Sequence, residues 1–97
     1  MTKLVISETA ANDLDEIWLH IARESYIQYA DAIIDKLFIA FKAMQKNPRI
    51  GVRRDDIGTE IRLFPVEKIN IIYRLKNSCL EVLRVHHSSL DCDILSF

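Results

Sequence analysis

The residues best suited to chemistry in this chain are basic. Arg62, Arg74 and Arg84 fall one on each of three successive β-like segments, and the last segment closes on an adjacent imidazole pair, His86 and His87. Cleavage of a phosphodiester that has a neighbouring hydroxyl needs a base, an acid and cations around the crowded phosphate. The imidazoles have the right titration range for acid and base, and the guanidinium groups supply charge. Spacing counts against this use. Adjacent residues of a strand point to opposite faces, so His86 and His87 cannot serve one phosphate while the strand continues. The arginines also have a simpler employment, pairing across strands with Glu60, Glu67 or Glu81.

Other chemistries are poorly supported. His86, His87, Asp91, Cys92 and Asp93 are of metal-binding types, but no Cys-x-x-Cys and no helical His pair fixes a shell, so no metal is expected. No Ser or Cys sits in a nucleophile elbow. Cys79 and Cys92 are expected to be reduced thiols. No cofactor is implied.

The elements that must carry these residues can be read from periodicity. Residues 60–65, 66–75 and 79–87 are rich in Ile, Val, Leu, Phe and Tyr and are bounded by turn residues, which predicts a three-stranded antiparallel meander. Lys3 to Ile6 is a short β-branched run, and Ser7 can cap a helix beginning at Glu8. From Glu8 to about Glu24, Ala10, Leu14, Ile17, Trp18 and Ile21 form one helical stripe, with Asn12, Asp13, Asp15, Glu16, His20 and Arg23 facing away. A second helix, capped by Ser25, runs from Tyr26 to Lys46 on Ala30, Ile33, Ile34, Leu37, Phe41 and Met44, and stops at Asn47-Pro48. So short a connection makes the two helices an antiparallel hairpin over one side of the sheet. Residues 47–59, with both glycines and the first proline, read as the one long loop.

The 97 residues are expected to form one α+β domain, β-α-α-β-β-β, over a single modest core. Composition, 49% hydrophobic and 28% charged, excludes disordered and fibrous classes. No run is long enough for a membrane span and the start lacks signal-peptide order, so a cytoplasmic protein is expected. The net charge of −1 hides a gradient: −3 over residues 1–45, +4 over residues 46–87 and −2 over the last ten. The sheet half therefore favours an acidic partner, too mildly to indicate direct sequence-specific nucleic-acid binding.

Taken in order, Asn47-Pro48-Arg49-Ile50-Gly51, Arg62 with Phe64-Pro65-Val66, Ile72-Tyr73-Arg74, and Arg84-Val85-x-His87 followed by Asp91 resemble the ParE toxins of the RelE/ParE superfamily over nearly the whole chain. His86 departs from the pattern, which usually has an aliphatic residue there. The resemblance implies a toxin of a type II toxin-antitoxin system, of the kind used in plasmid stabilisation, in a hetero-oligomer with a ParD-like antitoxin. It implies inhibition of DNA gyrase by binding, without catalysis. Arg62, Arg84, His87 and Asp91 are then the expected target contacts, and Trp18, Tyr29, Phe38 and Ile39 the expected antitoxin anchors. The alternative within the superfamily is a RelE-like ribosome-dependent endoribonuclease acting through Arg62, Arg74, Arg84, His86 and His87. Against it, the chain lacks the lysine cluster and C-terminal Tyr by which those nucleases resemble one another.

Overall fold

A computed structural model of the protein describes residues 2–87. Two helices, α1 (Glu8–Glu24) and α2 (Ile27–Lys46), follow the first strand β1 (Lys3–Ile6). Four more strands follow among the described residues: β2 (Val52–Arg53), β3 (Ile61–Val66), β4 (Ile69–Lys76) and β5 (Cys79–His87). They form one sheet in the order β1-β5-β4-β3-β2.

The hairpin and the meander match the pattern of the sequence, and three details differ. The sheet is mixed and not purely antiparallel, because β1 lies parallel to β5, with Lys3 opposite Cys79 and Ile6 opposite Val82. The region read as one long loop contains β2, which adds two residues to the edge of β3. Val52-Arg53 is too short to leave a period in sequence. The meander also turns at Glu67-Lys68 and not between Pro65 and Val66, with Glu67 at a φ of 56°.

The core lies between the helices and one face of the sheet. Ile69, Ile71 and Tyr73 alternate on β4 and meet Leu80, Val82 and Val85 of β5, while Ile17, Ile21, Ile33, Leu37, Phe41 and Met44 close over them. Alternation on the strands and one stripe per helix bury these side chains together, each contributing about 1.5–3 kcal/mol of apolar transfer energy. Ser7 caps α1 as expected, its hydroxyl accepting from the Ala10 N–H at 3.0 Å. Ser25 instead ends α1, its N–H donating to the Ile21 carbonyl, and α2 starts from Tyr26 without a side-chain cap. No helix among the described residues is long and apolar enough to cross a membrane.

Candidate functional site

The register places the three arginines in three different settings. On β5 the ladder shifts: Tyr73 stands opposite Val82 and Ile72 opposite Arg84, leaving Leu83 as the extra residue of a bulge. β1 has ended by this level, so β5 needs other partners there. Helix α1 supplies them. The Ser7 hydroxyl donates to the Leu83 carbonyl at 3.0 Å, and a carboxylate oxygen of Asp13 accepts from the Val85 N–H at 3.0 Å. Asp13 also receives Nε and Nη2 of Arg84 at 2.8 and 3.1 Å, a two-pronged contact.

The helical stripe puts Asp13 on the solvent face of α1, yet it is buried, 9% exposed. Helical spacing alone marks it polar, hence outward. A strand backbone and a guanidinium more than seventy residues later in the chain make its burial tolerable. Arg84, an expected target contact, thus fastens α1 to the bulge.

Arg62 sits at the other end of the sheet, beside the segment joining α2 to β2. Its Nη1 donates to the carbonyls of Gly51 at 2.8 Å and Arg49 at 3.3 Å. Its cross-strand neighbour Tyr73 works on the same segment, donating to the Pro48 carbonyl at 2.8 Å and accepting from the buried Gly51 N–H at 2.9 Å. Burial raises the Tyr73 phenol above its usual range, against the lowering effect of the Gly51 N–H and of Arg62. Gly51 is needed for its lack of a side chain: a Cβ there would stand 2.6 Å from the Tyr73 hydroxyl. Arg74 takes the cross-strand employment foreseen for it and reaches Glu81, its register partner, at 2.8 Å. Glu67 is engaged by Lys36 of α2, which holds the Glu67 carboxyl below and the Lys36 ammonium above their ordinary values.

The two histidines separate. His86 stands opposite Asn70, and His87 opposite the buried Ile69 on the helix-facing side. The His87 ring meets His20 of α1 at 5.5 Å between centroids, in a groove of about 290 Å³. Ile21, Ile33 and Ile69 form its apolar lining, and Lys68 and Tyr29 also border it. Partial burial lowers the His87 pKa, and the positive charges of His20, Lys68 and His86 add to the effect. Helical spacing places His20 on the surface, and nothing in it points to His87. Among the described residues no three His, Cys, Asp or Glu side chains form a group able to hold a metal.

Of the expected antitoxin anchors, Ile39 is the most exposed at 67%, with Phe38 and Tyr29 near 45%. Phe38 lies edge-on against buried Phe41 at 5.4 Å. Trp18 donates its indole N–H to Asp31 at 2.8 Å and is half-buried against the core, so it joins α1 to α2. Leu19 and Ile27, which no sequence signal singles out, are exposed apolar residues of the same two helices. Asp91 and the rest of the segment 88–97 lie outside the described residues.

A family model described as the ParE toxin of the type II toxin-antitoxin system parDE matches residues 4–91, nearly the entire fold. The chain belongs to the ParE toxin family. Toxin ParE3 of Caulobacter vibrioides is 24% identical over 85 residues, covering 88% of this chain and 85% of that protein. In solved structures the fold recurs in the chromosomal ParDE system of P. aeruginosa, with a TM-score of 0.78 at 22% identity over 90% of this chain and 96% of that one. It is also similar to the RelBE2 toxin-antitoxin complex of Mycobacterium tuberculosis, with a TM-score of 0.59 at 20% identity over 89% of this chain and 96% of that one. Identities this low speak for a shared fold. Within the ParE fold, the elements that the arginines pin down are the α1–β5 joint and the α2–β2 segment.

Proposed function

We propose that this ParE-family toxin acts by binding, with DNA gyrase as its target, and that a ParD-like antitoxin neutralises it in a cytoplasmic hetero-oligomer. The observation that carries the non-catalytic reading is the dispersal of the residues a phosphodiesterase would gather. Arg84 is committed to Asp13, Arg74 to Glu81, and Arg62 to the carbonyls of Arg49 and Gly51, while His86 and His87 point to opposite faces. A nuclease site would need several of these groups within hydrogen-bond reach of one phosphate. The fold similarity to the RelBE2 complex carries no activity across.

The antitoxin reading draws on the exposed apolar side chains of the helical hairpin, Phe38, Ile39, Leu19 and Ile27. An amphipathic helix laid across them would bury surface that the isolated toxin leaves in water. Trp18 then acts beneath the surface by holding the two helices together. In this reading Arg62 on the sheet and His87, at the end of β5 beside α1, are candidates for the target contact.

Induced expression separates the two activities. DNA breaks and an SOS response, with message intact, are the expected outcome, together with inhibition of supercoiling by purified gyrase. Message cut at codon positions on translating ribosomes, with DNA unbroken, would overturn the proposal. Ile39→Asp is expected to weaken retention of the product of a neighbouring antitoxin gene without unfolding the toxin.

A further inference from the structure

The segment that leads from α2 into β2 is fastened from beneath. The Tyr73 hydroxyl donates to the Pro48 carbonyl and accepts from the Gly51 N–H, and Nη1 of Arg62 donates to the carbonyls of Arg49 and Gly51. The Ile50 N–H closes a turn onto the Asn47 carbonyl at 3.0 Å, and the Arg54 N–H returns to the Ile61 carbonyl at 2.8 Å. A stretch with no helical or strand period is thus fixed almost residue by residue. Gly51 is buried with both of its backbone polar groups turned inward, and the residues on either side of it project outward: Ile50 is 39% exposed and Val52 66%. Val52 also stands opposite Leu63 of β3, which is only partly buried. β2 is the outermost strand of the sheet, with no strand on its far side among the described residues.

The charges around these apolar side chains do not balance. From Lys46 to Arg62 the chain carries five basic and three acidic residues. Arg53 pairs with Asp55 and Arg54 with Asp56, which leaves Glu60 against Lys46, Arg49 and Arg62. Lys46 and Arg49 are both exposed. A phosphate backbone would use the cations but strand Ile50 and Val52 against charge, whereas an acidic polypeptide can satisfy both. We propose that Arg49, Ile50 and Val52 form a pre-shaped contact for an acidic, extended polypeptide segment of the toxin's target, its apolar side chains on Ile50 and Val52 and its carboxylates toward Arg49 and Lys46. The inference rests on the proposed function only for the partner's identity, the antitoxin being assigned there to the helical hairpin. Holding the segment in one shape beforehand lowers the ordering cost of association. Arg62 and Tyr73 serve the contact through the segment's backbone and are positioning residues.

The probe is the capped peptide acetyl-EIEVE-amide, titrated into the full chain while the backbone amide resonances of residues 49–53 are followed by NMR. Acetyl-QIQVQ-amide removes its charge, acetyl-ESESE-amide removes its apolar side chains, and a short oligothymidylate offers a phosphate backbone instead. Saturable shifts centred on residues 49–53 are expected with the first peptide, and weaker binding with each of the other three. Arg49→Gln and Val52→Ser, both at exposed positions, should each weaken that peptide by about threefold and together by about tenfold, with Tm unchanged. Tyr73→Phe, checked by circular dichroism to be folded, keeps every contacting side chain and should still weaken the peptide; an unchanged affinity would overturn the pre-shaping. Equal binding of the charged and neutral peptides, tighter binding of the oligothymidylate, or shifts that never saturate would overturn the contact itself. All of these readouts use the toxin alone, so a failure to inhibit gyrase would leave them standing, and their own failure would leave the toxin reading untouched.

Discussion

Replacing Asp13 should reveal how α1 is held to the sheet. Its side chain is 11% exposed and that of Arg84 23%, and the carboxylate accepts from Nε and Nη2 of Arg84 and from the Val85 N–H. Removing one partner of a buried ion pair costs about 3–5 kcal/mol, because the other charge is left without compensation. Water still reaches part of this guanidinium, so the lower end applies. Asp13→Asn keeps one carbonyl oxygen for Val85 but turns an amide toward Arg84, and is expected to cost about 2–3 kcal/mol. Asp13→Ala also leaves the Val85 N–H without its acceptor, adding about 1 kcal/mol.

Urea denaturation followed by circular dichroism measures both. For a chain of this size each 1 kcal/mol corresponds to about 4–8 °C in Tm, so Asp13→Asn should melt at least about 8 °C lower. Pairing Asp13→Asn with Arg84→Gln should recover part of the loss, since the isolated charge goes too. A cost below about 0.5 kcal/mol for Asp13→Asn, within the range of ordinary surface changes, would refute the idea that this pair joins helix to sheet.

The same geometry sets further expected outcomes. Tyr73→Phe should lower stability by about 1–3 kcal/mol in the same urea assay, because it orphans the buried Gly51 N–H and removes the donor to Pro48. Gly51→Ala should be destabilised as well, and less so on a Tyr73→Phe background, since the hydroxyl 2.6 Å from the added Cβ is then gone. Ser78 follows Asn77 with both at positive φ, 59° and 51°, so Ser78→Gly should be neutral or stabilising by up to about 1 kcal/mol, read as a Tm increase. The folded-state pKa of His87 lies below its ordinary value, so the unfolded chain binds the proton first as pH falls below about 6.5. Stability should therefore be fully present above that pH and decline between it and the lowered value, and His87→Gln should flatten that part of the pH profile.

Much of this architecture is legible in the chain. The stripes of α1 and α2 and the β-branched runs of the meander depend on local periodicity, and the elements stand where that periodicity puts them. What escapes is non-local. The parallel pairing of β1 with β5 joins residues 76 positions apart, and four residues of β1 carry no mark of their partner's direction. Asp13 looks outward on a helical wheel because a wheel cannot show the bulge at Leu83 that receives it. The arginines are recognisable as a set, one per strand, but register decides what each reaches. Arg74 opposite Glu81 is among the pairings the sequence allows, whereas the carbonyls taken by Arg62 belong to a segment without any period. Likewise, His20 and His87 meet only because the end of α1 lies over the end of β5.

The sheet order has a consequence for how this gene can fail. The last strand among the described residues is an inner one, flanked by the first and by the fourth, and it receives the start of α1 as well. A chain interrupted between Lys76 and Cys79 would keep both helices and the first four strands, yet expose two unpaired edges and half of an open core. Late nonsense mutations should therefore be as inactivating as early ones, and their products should be cleared by proteases and not persist as weakened toxins.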